Sequence, residues 1–491
     1  MLLAELVRNL EVLDIQGDIH IDIDGIAYDS RKVKRDYVFV CIDGMKEDGH
    51  NYVAQALKNG ACAFITQREI EPMKGVAVIR TKDTRDALAF IADRFYGHMS
   101  RRFNLIGVTG TKGKTTTTFM IKSILEARGR KVGLIGTLGT KIGDRTLYSE
   151  RTTPEASDLQ ELFLQMAEEG VEDIVMEVSS QGLALHRVGY CEFDTAVFTN
   201  LSRDHISPSE HASMEEYLAA KCMLFKMCKC GVINVDSQYA PAVMEQTQYD
   251  TISYGVDGKC DVRAVDIIKK PRSVEFNIES PWYSGRFKVN IPGKFTIYNA
   301  LAAISVCGQM GTAREAVKAG LERVQVPGRA ELVDTGRDFS VIIDYAHTPD
   351  SLENILLAVK DYARGRVICV FGCGGDRDKK KRPMMGAISG RLSDYTVITS
   401  DNPRTEDPDA IIADIEEGIK TTGGKYICIN DRSRAVQHAI VNAGAGDVIL
   451  LAGKGHETYQ VFADKTIHLD EREIVVSIID QMGRGANISS V

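Results

Sequence analysis

No run of about 18 apolar residues occurs in this 491-residue chain, so nothing in it reads as a membrane-spanning helix. The opening stretch Met1–Ile15 carries Glu5, Arg8, Glu11 and Asp14 at close intervals, which leaves no apolar secretory core behind a basic segment. A cytoplasmic enzyme is the expectation. Basic residues are in deficit as well. With 60 Lys and Arg against 68 Asp and Glu, the formal net charge of -8 has the wrong sign for broad nucleic-acid binding. The 11 cysteines form no framework, and thiols of a cytosolic protein stay reduced. Cys222, Cys228 and Cys230 lack the second pair that a zinc site needs, and are read as plain thiols. Cys373, in a glycine-rich turn, is read as a small residue tolerated there rather than a reactive one. Internal repeats, coiled-coil heptads and low-complexity tracts are missing too. What is left is a globular composition, 44% hydrophobic and 26% charged, with length enough for two to four domains.

Three textures follow one another along the chain. Residues 1–100 mix short β-like runs (37–42, 61–65) with amphipathic helical stretches. Residues 101–326 show an α/β pattern with buried strands at 131–136, 173–178, 195–200 and 232–235, interrupted by a β-rich section at 250–292. Pro327-Gly328 marks a boundary, and residues 327–491 then alternate strand and helix, which implies a parallel sheet with covered faces. Each strand of this last third runs into a charged or glycine-rich cluster. These clusters are 344–347, 372–377, Asp401-Asn402-Pro403-Arg404 and 453–457. Open α/β sheets bind ligands outside the carboxyl ends of their strands, so the clusters predict a site at one rim. A dinucleotide fingerprint fails, since Gly372-x-Gly374 meets Arg377 where a third glycine is needed. A Rossmann-like sheet without a dinucleotide is the reading.

The strongest local signal is Thr109-Gly110-Thr111-Lys112-Gly113-Lys114-Thr115-Thr116, after the apolar run 105–108 and before a helical pattern from Thr117 to about Arg128. Strand, glycine-rich turn and helix make a phosphate-binding loop, in which backbone N–H groups and the helix dipole face the phosphates. Lys114 then serves the terminal phosphates and the Thr115 hydroxyl a Mg²⁺ ion. The loop is short by one glycine, because Val108 stands where the common pattern begins. Glu177 closes a neighbouring strand, where phosphate-loop enzymes hold Mg²⁺ or orient an attacking group. Asp204-His205 and Lys221 follow further strands of the same sheet.

These residues resemble the Mur ligases, the ATP-dependent amide-forming enzymes of peptidoglycan synthesis, and within them the enzymes that add the third residue of the stem peptide. The likeness rests on the shortened loop 109–116 together with 176–180, 199–205, 214–221, 292–299, 328–331, 344–349, 374–379 and 453–457, in the family's order over nearly the whole chain. It implies an α/β protein of three domains. These are a small UDP-sugar-peptide-binding domain (1–100), a central ATPase domain (101–326) and a C-terminal Rossmann-like domain for the incoming amino acid (327–491). It implies that Gly110, Thr111, Lys112, Gly113, Lys114, Thr115, Thr116, Asn299 and Arg329 contact ATP. Ser30, Thr152, Thr153, Ser179 and Arg187 would contact the UDP-muramoyl dipeptide. Thr115, Glu177, His205 and a CO₂-derived carbamate on Lys221 would hold two Mg²⁺ ions, a carbamate turning a cation into a hard oxygen ligand. Lys114, Glu177, His205 and Lys221 are the implied catalytic set, acting through an acyl phosphate. No nucleic acid, no membrane span and a monomeric state complete the expectation.

In the family, Asp401-Asn402-Pro403-Arg404 goes with meso-diaminopimelate, whose distal carboxylate suits a fixed guanidinium. Arg377, Gly453 and Glu457 occupy the other matching positions, Glu457 toward the distal ammonium. The chain departs from the pattern at Lys112, Gln181, Leu185, Thr296 and a lengthened 206–211 segment. Other acceptors, such as L-lysine, and a folylpolyglutamate-like ligase remain open on sequence alone. So does a regulatory ATP-binding module, which would need no amino-acid site at the C-terminal rim.

Overall fold

The computed structural model describes residues 1–44, 47–143, 145–203, 206, 210–270 and 272–488. Contact density divides the chain into two compact units. One comprises Met1–Arg263, Ser280–Tyr283 and Leu301–Gly320, the other Ala264–Glu279, Ser284–Ala300 and Leu321–Val491.

The first unit holds one whole sheet and most strands of a second, eleven-stranded one. A five-stranded sheet in the first hundred residues runs parallel through Gly25–Ala27, Tyr37–Val40, Ala61–Thr66 and Ala77–Thr81, with Val12–Gln16 antiparallel at its edge. The helix Thr84–Phe95 covers it, started by Asp83, whose carboxylate accepts the Arg85 and Asp86 N–H groups as an N-cap. The larger sheet is built on Asn104–Thr109, which lies between Asp173–Glu177 and Phe193–Phe198 and pairs with both in parallel. Leu105, Ile106 and Val108 are fully buried, as a parallel strand covered on both faces requires. Register sets the function of this edge. Glu177 is level with Val108, and Phe198 with Thr109, so three strands end together. The helix after the phosphate loop begins at Lys114 and runs to Ala127, three residues earlier than the apolar pattern predicts. The loop's threonines are too polar for the pattern to register, but Thr115, Thr116 and Thr117 are buried.

In the second unit, Ser340–Asp344, Val448–Ala452, Val367–Phe371, Tyr395–Ile398 and Tyr426–Cys428 lie side by side in that order, all parallel. Glu331–Val333 adds an antiparallel edge. Asp344, Ala452, Phe371 and Ile398 share one level at the carboxyl ends, so the four clusters read from the sequence emerge at one rim. Val448–Ala452, late in the chain, is inserted beside Val367–Phe371. That reordering makes the 372–377 and 453–457 loops neighbours. No helix among the described residues is long and apolar enough to cross a membrane.

Candidate functional site

The phosphate loop is strapped down by the end of the adjacent strand. Gly110 has φ +146°, and a Cβ there would stand 1.9 Å from Thr199 Oγ1, so only glycine fits. Thr199 Oγ1 donates to the Lys112 carbonyl (2.7 Å), and Asn200 accepts the Lys112 N–H on Oδ1 (3.0 Å) while its Nδ2 donates to the Lys112 carbonyl (3.0 Å). The Thr111 N–H reaches the Asn200 carbonyl at 2.9 Å. Thr199 and Asn200 were not singled out for this task by the sequence, although their place at the end of a strand was the available signal.

Two lysines converge on the loop. Lys114 Nζ donates to the Gly110 and Thr111 carbonyls (2.9 and 3.2 Å), and Lys221 Nζ to the same Gly110 carbonyl (3.0 Å). Lys221, on the helix Met214–Lys226, is 1% exposed and lies over the Tyr217 ring at 4.4 Å, a cation–π contact. Tyr217 in turn shares a hydrogen bond with Thr111 Oγ1 (3.1 Å) and packs against the His211 ring. Glu177 is buried. Its two carboxylate oxygens accept the Thr137 N–H (2.9 Å) and hydroxyl (3.1 Å), and Thr137 Oγ1 also meets Thr152 Oγ1 at 3.0 Å. Thr153 Oγ1 bonds both the Glu177 carbonyl and Ser179 Oγ (3.1 Å each). The Thr152-Thr153 pair, Glu177 and Ser179 therefore form one continuous hydrogen-bonded strip, with Thr137 an unforeseen member. His205 lies outside the described residues. No cluster of three or more His, Cys, Asp or Glu suited to a metal occurs among the described residues.

A cavity of about 1220 Å³ opens beside this strip, lined by Ser30, Arg31, Tyr148, Arg151, Gln181 and Arg187 among others. It is large enough for an extended nucleotide-sugar. Arg187 is held against Glu155 (3.0 Å), and burial lowers its guanidinium from the ordinary value. Tyr28 donates its hydroxyl to Asp158 (2.5 Å) in the same wall, and burial pushes that phenol up.

The second unit carries the remaining residues. Asn299 is buried on the helix Lys294–Gln309, and Arg329 stacks over the Tyr345 ring at 4.8 Å. At the rim, Arg404 has a left-handed backbone (φ +52°) and donates Nη1 to the Gly375 carbonyl at 2.8 Å. A Cβ on Gly374 would lie 2.9 Å from Arg404 Nη1 and 3.8 Å from Arg377 Cγ, which places both arginines around one glycine. Glu406 locks these loops, accepting the Asp376 N–H (2.6 Å) and the buried Arg382 (2.8 Å); those bonds pull its carboxyl down to about 2. Asp401, Asn402 and Glu457 meet around Lys454, a fully buried lysine that the sequence reading passed over. Cys373 is buried and its thiol is pushed up to about 12, in keeping with the unreactive reading.

The sequence matches three family models: Mur ligase family, catalytic domain (residues 22–96), Mur ligase middle domain (108–307) and Mur ligase, glutamate ligase domain (328–455). A UDP-N-acetylmuramoyl-L-alanyl-D-glutamate–2,6-diaminopimelate ligase of Caldanaerobacter subterraneus subsp. tengcongensis is 50% identical over 98% of this chain and 99% of its own. Ligase 1 of the same description from Clostridium acetobutylicum is 44% identical over 98% and 100%. A solved structure of a ligase so described superposes with a TM-score of 0.73 at 29% identity, covering 98% of this chain and 99% of the other. On that identity over its full length, the chain belongs to the Mur ligase family.

Proposed function

We propose that this protein is an ATP-dependent ligase that joins meso-diaminopimelate to the D-Glu carboxylate of UDP-N-acetylmuramoyl-L-Ala-D-Glu, a step of peptidoglycan precursor synthesis. The observation that carries the reading is the rim of the second unit. Guanidinium groups at 377 and 404 and carboxylates at 401 and 457 stand at the ends of neighbouring parallel strands, a set matched to an amino acid with a second zwitterionic end. Full-length likeness to ligases named for that acceptor supports it.

In this reading the backbone N–H groups of 110–116 and Lys114 hold the β- and γ-phosphates of ATP. The muramoyl-peptide carboxylate attacks the γ-phosphorus, forming an acyl phosphate and releasing ADP. The amino group of the acceptor then attacks the acyl carbonyl, loses a proton and displaces phosphate. Thr115, Glu177, His205 and a carbamate on Lys221 would hold Mg²⁺, which offsets charge on the transferring phosphoryl group. The surroundings of Lys221 fit that modification. A carbamylated Nζ keeps one N–H, enough for the Gly110 carbonyl it now faces, and the buried Glu177 supplies a second hard anion at the same strand ends. Ser30, Ser179 and Arg187 would meet the nucleotide-sugar peptide, and Asn299 and Arg329 the nucleoside. The domain division 1–100, 101–326 and 327–491 is part of the proposal, supported by the three large sheets, whose strands fall one sheet to each range, and by three family models.

The test is phosphate release with UDP-muramoyl dipeptide and one of meso-diaminopimelate, L-lysine or ornithine. Release that needs both substrates and is fastest with meso-diaminopimelate is expected; release indifferent to either substrate would overturn the reading.

A further inference from the structure

Lys454 is completely buried, and an ammonium group out of water persists only where anionic and dipolar oxygens replace its hydration. Three residues provide them. Nζ lies 3.1 Å from Glu457 Oε2, 3.2 Å from Asn402 Oδ1 and 3.4 Å from Asp401 Oδ1. Asn402 ties the group together, its Nδ2 donating to the same Glu457 Oε2 (2.8 Å) and its Oδ1 accepting the Val461 N–H (3.0 Å). One oxygen of Glu457 is thus occupied by two protein donors. The other, Oε1, receives no hydrogen bond among the described residues.

Charge counting gives the consequence. Two carboxylates share one ammonium in this cluster, so one negative charge is left over. Behind it, Arg432 and Glu471 form a neutral buried pair. Arg432 donates to the Ser400 carbonyl (3.3 Å) and the Ala452 carbonyl (2.9 Å), the residues just before Asp401 and Gly453. The strand ends that carry the cluster are therefore held from behind, and the surplus charge sits on a fixed frame.

We propose that Lys454 is a positioning residue that sets the preference for a distal ammonium on the acceptor. It holds Glu457 by one oxygen, presents the other, and keeps Asn402 and Asp401 aligned beside Arg404. This role rests on the acceptor reading given above. Full burial separates Lys454 from the substrate, so it acts through Glu457 and not by touching the reacting groups.

The test is steady-state kinetics of the full-length enzyme with meso-diaminopimelate and with 2-aminopimelate, which keeps both carboxylates but lacks the distal amine. Lys454→Met should raise the KM for meso-diaminopimelate roughly 10- to 100-fold, the worth of a charged hydrogen bond, and leave those for 2-aminopimelate and ATP within about twofold. Selectivity between the two amino acids then collapses, and Lys454→Arg restores part of it. If Lys454→Met fails to fold by thermal unfolding, Lys454→Gln, which keeps N–H donors without the charge, carries the same comparison. A wild-type enzyme indifferent to the distal ammonium overturns the acceptor reading and this role with it. A selective wild type whose Lys454 variants keep that selectivity, or lose both amino acids equally, overturns this role alone.

Discussion

Replacing Arg432 by Met tests whether the rim is held from behind by a buried ion pair. The guanidinium and the Glu471 carboxylate are both fully buried, 2.8 Å apart. Removing the cation leaves Glu471 as an uncompensated buried acid and withdraws donors from the Ser400 and Ala452 carbonyls. Breaking such a pair from one side costs about 3–5 kcal/mol. For a unit of this size that corresponds to a fall in Tm of about 6–20 °C, at roughly 2–4 °C per kcal/mol. The pH dependence carries the sharper signature. Burial already raises the Glu471 carboxyl, and Arg432 opposes that rise, so the variant's folded state keeps its proton to higher pH. Between the unfolded carboxylate value near ~4.3 and the raised folded one, the folded state binds the extra proton. Stability therefore falls as pH rises, by up to about 1.4 kcal/mol per unit. Calorimetry of wild type and variant from pH 5 to 7.5 reads this directly. A deficit that widens with pH, and stops widening when Glu471→Gln is added, is expected. A deficit under about 2 °C, or one equal at both ends of the range, would refute the reasoning.

Three further outcomes follow from the geometry. Gly110→Ala puts a methyl 1.9 Å from a Thr199 hydroxyl already committed to the Lys112 carbonyl, and should lower kcat/KM for ATP about 100-fold without loss of fold by circular dichroism. Arg404→Ala should raise the KM for meso-diaminopimelate at least about 30-fold and that for ATP by no more than about twofold; an unchanged acceptor KM sinks its assignment to the distal carboxylate. His456 is pushed down to about 4 by burial, with the cations Arg329, Arg472 and Lys454 adding to the effect. Its folded state stays neutral while the unfolded chain takes up a proton, so stability is lost as pH falls from the ordinary histidine value near ~6.5 toward about 4. Urea midpoints of wild type and His456→Gln over that range should converge toward acid pH.

Much of this protein is written locally. A glycine-rich turn between an apolar strand and a helix says phosphate wherever it occurs, because glycine backbone and helix dipole are local properties. The regular strand–helix alternation of the last third dictates a parallel sheet, and the polar clusters that end each strand predict a rim, since parallel strands share a carboxyl end. The family, too, was legible before folding, as a resemblance carried by the phosphate loop and the ordered motifs after it. What no local pattern contains is adjacency. Strand order places Val448–Ala452 between Ser340–Asp344 and Val367–Phe371, and only that insertion brings Lys454 to Asp401, Asn402 and Glu457. The same holds for Thr199 and Asn200 over the phosphate loop, for Thr137 on Glu177, and for Arg432 against Glu471. Each is a side chain whose meaning comes from a partner distant in sequence. Periodicity decides which face of an element is buried; tertiary packing decides whose charge it meets there, and with it which oxygen of a carboxylate is left for a substrate.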